Sequence, residues 1–182
     1  PRHVEKLLKA MEMDNCKSVT SPGVKPSERT CEPRFSKILM DDDQIPFNEN
    51  DEPLDAVAIR RYRSCVARCN YLAADRPDIT FSTKELCRAM SAPMRKHELA
   101  LKRLCRYLKG HPRLVQRIPF KAEMCKELHV NVDSDWAGCR ETRKSTNGGT
   151  MSISDSCLKT WSSTQAVMAF SSGEAEFYAA LK

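Results

Sequence analysis

The sequence predicts an α/β protein with a mainly helical first part and a second part of strands and one helix. Apolar residues recur at helical spacing before residue 110 and alternate with polar residues after residue 126. These two periodicities distinguish helices from strands. A proline-rich stretch with neither periodicity separates a short first helix from the rest of the chain.

Helices are predicted where apolar residues share one helical face or where a start signal occurs. They cover residues 1–13, 56–73, 77–90 and 93–109. Pro77 suits a first helical turn, where its missing N–H leaves no donor unsatisfied, and Gly110 with Pro112 forms a stop signal. Residues 23–55 are rich in proline and acidic side chains. They are predicted to form a linker, because proline disfavours helical geometry in the residue before it.

The strands follow residue 126. They are predicted at 128–132, 146–153 and 158–163. In the first strand, Leu128, Val130 and Val132 alternate with polar residues, which predicts one apolar face. The last helix is predicted to begin after Ser171, because Ser171 and Glu174 have the spacing of a capping box.

Composition restricts the class of protein. The 182 residues are 41% apolar and 30% charged, which suits one ordinary folded domain or two small ones. No segment is long and apolar enough to be predicted as a membrane span, and the first residues lack the features of a secretory signal. The first residue is Pro1 in place of Met, so we expect a piece of a longer chain or a processed product.

Nine cysteines are scattered along the sequence without paired spacings. This pattern argues against a disulfide scaffold and fits a reducing compartment. Cys65 and Cys69 lie four residues apart on a predicted helix and could share a zinc ion. The nearest histidine is His97, and no second cysteine pair completes a zinc set, so buried thiols are the favoured interpretation.

The net charge of +6 is unevenly distributed. Residues 41–55 hold seven acids and no Lys or Arg, whereas residues 58–112 hold 13 Lys and Arg against four Asp and Glu. A segment this basic is a candidate nucleic-acid-binding surface. The candidate contacts on the last helix of that segment are Lys102, Arg103, Arg106 and Lys109. A solvated helix surface explains the same charges equally well.

Two acids near the chain's end are candidate metal ligands. Asp133 directly follows the first apolar strand, and Glu176 lies in the first turns of the last helix. Hard cations such as Mg²⁺ prefer carboxylate oxygens. A turn-forming role is the alternative for Asp133. Asp135 and Glu174 have structural explanations, as a turn residue and a helix cap, whereas Glu176 lies about 200° round the helix from Glu174 and has none.

Several short motifs follow one another along the chain in a recognisable order. They include Val4-Glu5-Lys6-Leu7-Leu8, Tyr62-Arg63-Ser64-Cys65-Val66, Arg76-Pro77-Asp78-Ile79, Lys102–Gly110, Asp133-Ser134-Asp135-Trp136-Ala137-Gly138, Thr160-Trp161-Ser162-Ser163 and Ser171–Ala179. In order and approximate spacing they resemble the Pol polyprotein of Ty1/copia-type LTR retrotransposons. The resemblance covers nearly the whole chain and is weakest over residues 23–54.

The resemblance implies four regions. These are the tail of a reverse transcriptase over 1–22, a proline-rich acidic linker over 23–55, a basic helical connection over 56–112 and a truncated ribonuclease H-like domain over 126–182. The expected fold is an incomplete ribonuclease H-like fold, with three strands and the first helix, preceded by the mainly helical connection.

The family degrades the RNA strand of RNA–DNA hybrids by two-metal hydrolysis during reverse transcription, with four acids holding two Mg²⁺ ions. By motif position, Asp133 and Glu176 match the first two acids and are the implied catalytic residues and metal ligands. The other two are expected beyond Lys182, so this chain alone is expected to bind Mg²⁺ weakly and to be inactive.

The resemblance also implies partners and a location. The expected partners are an RNA–DNA hybrid or another nucleic acid and the remainder of the Pol polyprotein, with no membrane. The expected location is the cytoplasm, within virus-like particles, and the nucleus. Two alternatives stay open: a non-catalytic basic nucleic-acid-binding module, and an inactive translated remnant.

Overall fold

A computed structural model of the chain describes residues 2–23, 52–116, 118, 127–139, 142–153 and 156–181. The chain divides into two compact units, one up to Leu114 and one from Val115. The predicted linker over 23–55 lies almost entirely outside the described residues. Helices in the first unit and an antiparallel sheet in the second confirm the α/β class.

The first unit is helical. Its elements are α1 (Arg2–Ala10), α2 (Ala56–Ala73), a 3₁₀ turn (Pro77–Ile79), α3 (Thr80–Arg88) and α4 (Arg95–Gly110). The bounds of α2 are those predicted from its periodicity. The predicted helix over 77–90 is instead divided, because the N–H of Thr80 bonds to the carbonyl of Pro77 in a 3₁₀ turn before α3 continues. No helix in the described part of the chain is both long and apolar enough to cross a bilayer.

One apolar core joins all the helices of this unit. Leu7 of α1, Val66 of α2 and Leu104 of α4 are each fully buried in it. Burial of such a side chain contributes roughly 1.5–3 kcal/mol relative to leaving it in water. Helix α1, which the resemblance assigns to the tail of a reverse transcriptase, therefore packs with the helices assigned to the connection. The boundary between these two regions stays a prediction.

Three cysteines belong to that core. Cys65, Cys69 and Cys105 are almost completely buried, and burial raises the pKa of the Cys69 thiol to about 12. A thiol in this environment stays neutral and packs as a small apolar group. Among the described residues, no three His, Cys, Asp or Glu side chains form a group that could hold a metal ion, which favours the buried-thiol interpretation over zinc.

Hydrogen bonds from arginines of α2 join that helix to α4 and to the segment after α3. Glu98 of α4 is buried and accepts hydrogen bonds from Arg61 of α2 (2.9 Å) and from Arg95. Arg63 donates to the carbonyls of Met90 (2.7 Å) and Ser91 (2.8 Å), just past the end of α3. The two Arg63 bonds satisfy backbone carbonyls of the segment that follows α3.

A second arginine–carboxylate pair, formed by Arg76 and Asp78, ties the 3₁₀ turn to α4. Arg76 donates two hydrogen bonds to the Asp78 carboxylate, at 2.9 and 2.7 Å, and one to the carbonyl of His111. The Tyr107 hydroxyl donates to the same carboxylate at 2.8 Å. Burial raises the pKa of Asp78, but the hydrogen bonds from Arg76 and Tyr107 lower it further than burial raises it, so the net shift is downward.

The second unit is a three-stranded antiparallel sheet with one helix. Its strands, in the spatial order β1-β2-β3, are β1 (Leu128–Asp135), β2 (Thr146–Ile153) and β3 (Ser156–Thr164), and the helix is α5 (Ser172–Ala180). The bounds of β2 agree with the prediction. The side chain of Ser171 caps α5 by accepting from the N–H of Glu174, at 3.1 Å.

The apolar face predicted for β1 is present but is not buried. Leu128, Val130 and Val132 are 52%, 49% and 39% exposed. Across the sheet, Val132 pairs with Gly149, and Gly149 pairs with Trp161. A Cβ atom at Gly149 would collide with the Trp161 ring, so this glycine lets the indole lie across β2. The alternation of apolar and polar residues correctly predicts the strand β1. A periodic pattern does not specify what covers the apolar face of that strand.

We expect Asp78→Asn to lower the free energy of unfolding at neutral pH by about 1.5–3 kcal/mol, because it removes the charge that Arg76 and Tyr107 bind. The folded-state pKa of Asp78 lies below its ordinary value. Its contribution is therefore present above the ordinary pKa and is lost as the pH falls through the lowered one. As the pH falls from neutral through the ordinary and then the lowered pKa of Asp78, the wild type should lose more stability than the variant.

Urea unfolding followed by the helical circular dichroism signal measures this difference. Asp75→Asn is the matched control, since Asp75 is exposed and lies three residues away. Equal pH dependence in the wild type and Asp78→Asn would contradict the assigned role of the Arg76 pair.

Candidate functional site

Asp135 has a structural role at the end of β1. Its carboxylate accepts a hydrogen bond from the backbone N–H of Thr146, the first residue of β2. A side chain at Gly138 would collide with the same carboxylate, and Ala137 between them has a positive φ of 51°. The carboxylate thus closes the turn that leads out of β1, which agrees with the turn role predicted for Asp135.

Glu174 is also committed to the backbone. Its carboxylate accepts from the N–H of Phe170 at 2.8 Å and from the hydroxyl of Tyr178 at 2.8 Å. The hydrogen bond to Glu174 raises the pKa of Tyr178. The predicted capping box therefore forms in a shifted version, because the carboxylate reaches Phe170 and not the N-cap residue Ser171. Glu174 anchors the approach to α5.

Asp133 and Glu176 differ from these two acids. Both are exposed, and within the described part of the chain neither carboxylate takes part in a hydrogen bond or an ion pair. Asp133 lies on β1, opposite Gly148 of β2, and α5 packs mainly along β1. The fold thus brings the two elements together and leaves both carboxylates available to a ligand.

The two carboxylates do not share one face of the sheet. Successive strand residues point to opposite faces, so Asp133 projects away from the face that holds the buried side chain of Ser134. Helix α5 lies on the face that holds Ser134, because the Gln165 side chain next to Ser134 donates to the carbonyl of Ala175 in α5.

The donor chemistry fits Mg²⁺. Proteins usually bind this ion through one or two carboxylates while it keeps several waters. Asp133 and Glu176 supply two exposed carboxylates on adjoining elements. No third Asp, Glu, His or Cys of the described residues joins them in a group. The type of donor atom therefore suits Mg²⁺, but the affinity for Mg²⁺ should be low.

The predicted basic contacts on α4 are partly used within the first unit. Arg106 donates to the carbonyl of Lys17 at 2.9 Å, and Lys109 donates to the carbonyl of Asp14. Lys102 and Arg103 are half-buried on the same helix. Two of the four residues therefore hold the segment after α1 in place. Contact with nucleic acid by any of the four stays a prediction.

A buried polar cluster beside the acids was not predicted from the sequence. The side-chain nitrogen of Gln165 lies 2.6 Å from the Asn147 amide oxygen, 2.7 Å from the carbonyl of Ala175 and 3.2 Å from the Ser134 hydroxyl. Gln165 and Asn147 are 5% and 3% exposed. No periodicity identifies these residues, since each is a polar side chain in or beside a strand.

Comparison of the sequence with known proteins identifies its relatives. The chain is 37% identical over 116 residues to the retrovirus-related Pol polyprotein from transposon RE1 of Arabidopsis thaliana, and 36% identical over 116 residues to that from transposon RE2 of the same plant. Each match covers 64% of this chain and 8% of the relative. A third match, 34% identical over 122 residues, is to the uncharacterized mitochondrial protein AtMg00810 of A. thaliana and covers 65% of this chain and 48% of that protein.

Other comparisons add nothing to this assignment, since no family model and no solved structure matches the chain. The chain spans about 8% of the length of the two Pol polyproteins, so their whole activities do not transfer with the similarity. Sequence identity and the ordered motifs agree on the lineage. This chain belongs to the family of retrovirus-related Pol polyproteins of Ty1/copia-type retrotransposons.

Proposed function

We propose that the chain is a segment of the reverse transcriptase and ribonuclease H region of a retrotransposon Pol polyprotein. In this proposal, residues 126–182 are the first part of a ribonuclease H-like domain, which degrades the RNA strand of RNA–DNA hybrids during reverse transcription. One observation carries it: of four acids in two motifs, Asp135 and Glu174 bind the backbone, whereas Asp133 and Glu176 are exposed and uncommitted.

Asp133 and Glu176 are the proposed metal ligands. When bound, Mg²⁺ supplies an activated water and stabilises the leaving oxygen of the cleaved strand. The chain's own contribution is two negative charges on elements that pack together, at a position open to a polyanionic substrate. Without a metal those charges repel the phosphates of a hybrid, so we expect substrate approach near β1 to depend on the cation.

The proposed partners are an RNA–DNA hybrid and the remainder of the Pol polyprotein. The proposed location is the cytoplasm, in virus-like particles, and the nucleus. Both proposals rest on membership of the family and on the uneven charge. The first unit carries a basic excess over 58–112, which would attract the same substrate that the acids would help to cleave.

A second candidate function is nucleic-acid binding by the first unit alone. The observation that favours it is the basic side of α4, where Lys102 and Arg103 stand beside Arg106 and Lys109. The last two residues are held by backbone carbonyls of the segment after α1. Such anchoring orders basic side chains and lowers the entropy cost of a phosphate contact.

The four acids should separate in a stability experiment. We expect Asp135→Ala and Glu174→Ala each to lower the unfolding free energy of the second unit by about 1 kcal/mol, because each leaves a backbone N–H without its acceptor. Asp133→Ala and Glu176→Ala should change it by less than about 0.5 kcal/mol.

Tryptophan fluorescence during urea unfolding measures this unit selectively, since both tryptophans, Trp136 and Trp161, lie in it. The comparison is internally controlled, because each motif contributes one committed and one uncommitted acid. Equal losses in all four variants would refute the division into structural and available acids.

In a cleavage assay with Mg²⁺ and a labelled RNA–DNA hybrid, we expect no cleavage by the 182-residue polypeptide. The reason is that no third ligand joins the two carboxylates among the described residues, and two carboxylates alone position the ion poorly. Asp133→Asn is the matched control. Cleavage that disappears in Asp133→Asn would disprove the expected inactivity and uphold Asp133 as a ligand, whereas cleavage that persists would count against the assignment itself.

Binding to the uncleaved hybrid tests the second candidate. Affinity should fall as salt rises, because phosphate contacts release counterions. Lys102→Gln should reduce the slope of log K against log salt by about 1, and Lys6→Gln, on exposed α1 surface, should leave it unchanged. Fluorescence anisotropy at several salt concentrations measures the slope, and affinity that does not respond to salt would rule this function out.

A further inference from the structure

Gln165 bridges the two elements that carry the proposed metal ligands. Its side-chain nitrogen lies 2.7 Å from the carbonyl of Ala175 in α5 and 3.2 Å from the hydroxyl of Ser134 in β1. Ala175 directly precedes Glu176, and Ser134 directly follows Asp133. One amide group therefore contacts the neighbours of both carboxylates.

The chemistry of the partners fixes the orientation of this amide. The carbonyl of Ala175 can only accept a hydrogen bond, so the Gln165 atom beside it has to be the donating nitrogen. An amide nitrogen carries two hydrogens, and the two shorter contacts, to Ala175 and to the Asn147 oxygen at 2.6 Å, take them. The backbone N–H of Gln165 is also held, by the carbonyl of Ser145 at 2.8 Å.

Apolar packing leaves the rotation of α5 weakly specified. The helix residues that are buried, among those described, are Ala175 and Ala179. A methyl group has little shape with which to resist rotation about the helix axis, whereas a hydrogen bond to one carbonyl is directional. Glu176 lies about 100° round the axis from Ala175. The bond from Gln165 to Ala175 fixes the rotation of the helix and therefore the direction in which the Glu176 side chain leaves it.

We propose that Gln165 is a positioning residue that sets the separation of the Asp133 and Glu176 carboxylates and thereby their affinity for one shared divalent cation. This inference rests on the proposed function, because it requires the two acids to act as a pair. Gln165 itself does not contact the ion. Its hydrogen bonds to Asn147 of β2 and to the Ala175 carbonyl set the rotation of α5 against the sheet, and with it the direction from which Glu176 approaches the β1 strand that carries Asp133.

The test is a titration of the whole 182-residue chain with Mn²⁺, followed by paramagnetic broadening of the backbone amide signals of Asp133 and Glu176. In the wild type, both signals should broaden in parallel with one dissociation constant. Gln165→Met keeps the length of the side chain and removes its donors. We expect it to raise that constant about tenfold or more, the usual effect of losing a partner that orients a metal ligand.

A matched control separates positioning from stability. Ser171→Ala removes the cap of α5, whose hydroxyl accepts from Glu174 at 3.1 Å, and leaves every contact of Gln165 in place. It should lower the unfolding temperature of the second unit and leave the Mn²⁺ dissociation constant unchanged. Each variant is titrated at a temperature where tryptophan fluorescence shows it folded.

The outcomes distinguish this inference from the function on which it rests. A Gln165→Met constant equal to that of the wild type overturns the role of Gln165 and leaves the metal pair standing. If Gln165→Met does not fold, Gln165→Asn, which keeps the amide on a shorter side chain, gives the same decision. Wild-type signals that do not broaden in parallel, or that still do so in Asp133→Asn, overturn the metal pair and this inference together.

Discussion

The second unit depends on one buried amide more than on a hydrophobic core. In its described part, the buried apolar residues are all alanines, and the buried polar residues include Ser134, Asn147 and Gln165. Alanine burial contributes little free energy per residue. The two amide hydrogens of Gln165 bond to Asn147 of β2 and to the carbonyl of Ala175 in α5 and so join the helix to the sheet. The amide oxygen of Gln165 is buried without a hydrogen-bond partner among the described residues, and a buried polar group left unpaired costs free energy.

The first unit is built on the opposite principle. Its helices meet through large apolar side chains, among them Leu7, Tyr62 and Leu101, each buried almost completely. Arginine pairs such as Arg61 with Glu98 then fix the angle of the helices. Truncating one core leucine would cost about 2–5 kcal/mol.

Sequence periodicity located elements well and surroundings poorly. It found α2 and β2 with the observed bounds, although Asn147, Gly148 and Gly149 interrupt the strand pattern of β2. It identified backbone roles for Asp135 and Glu174, since a cap and a turn have local spacing rules, and the metal role of Asp133 and Glu176 stays a prediction. It could not find Gln165, because contacts between a strand end, a neighbouring strand and a helix depend on the tertiary arrangement. For the same reason it could not show that Val132 lies in solvent.

The four acids show how folding and chemistry can be encoded separately in short motifs. Stability requires a carboxylate at Asp135 and at Glu174, where each binds a backbone N–H. It makes no such demand at Asp133 or Glu176, which are exposed and uncommitted. Within the described residues the fold gives no reason for acids at those two positions, and the proposed metal chemistry supplies one. Under that proposal the chain could lose both carboxylates by substitution and keep its fold, whereas loss of Gln165 would disturb both.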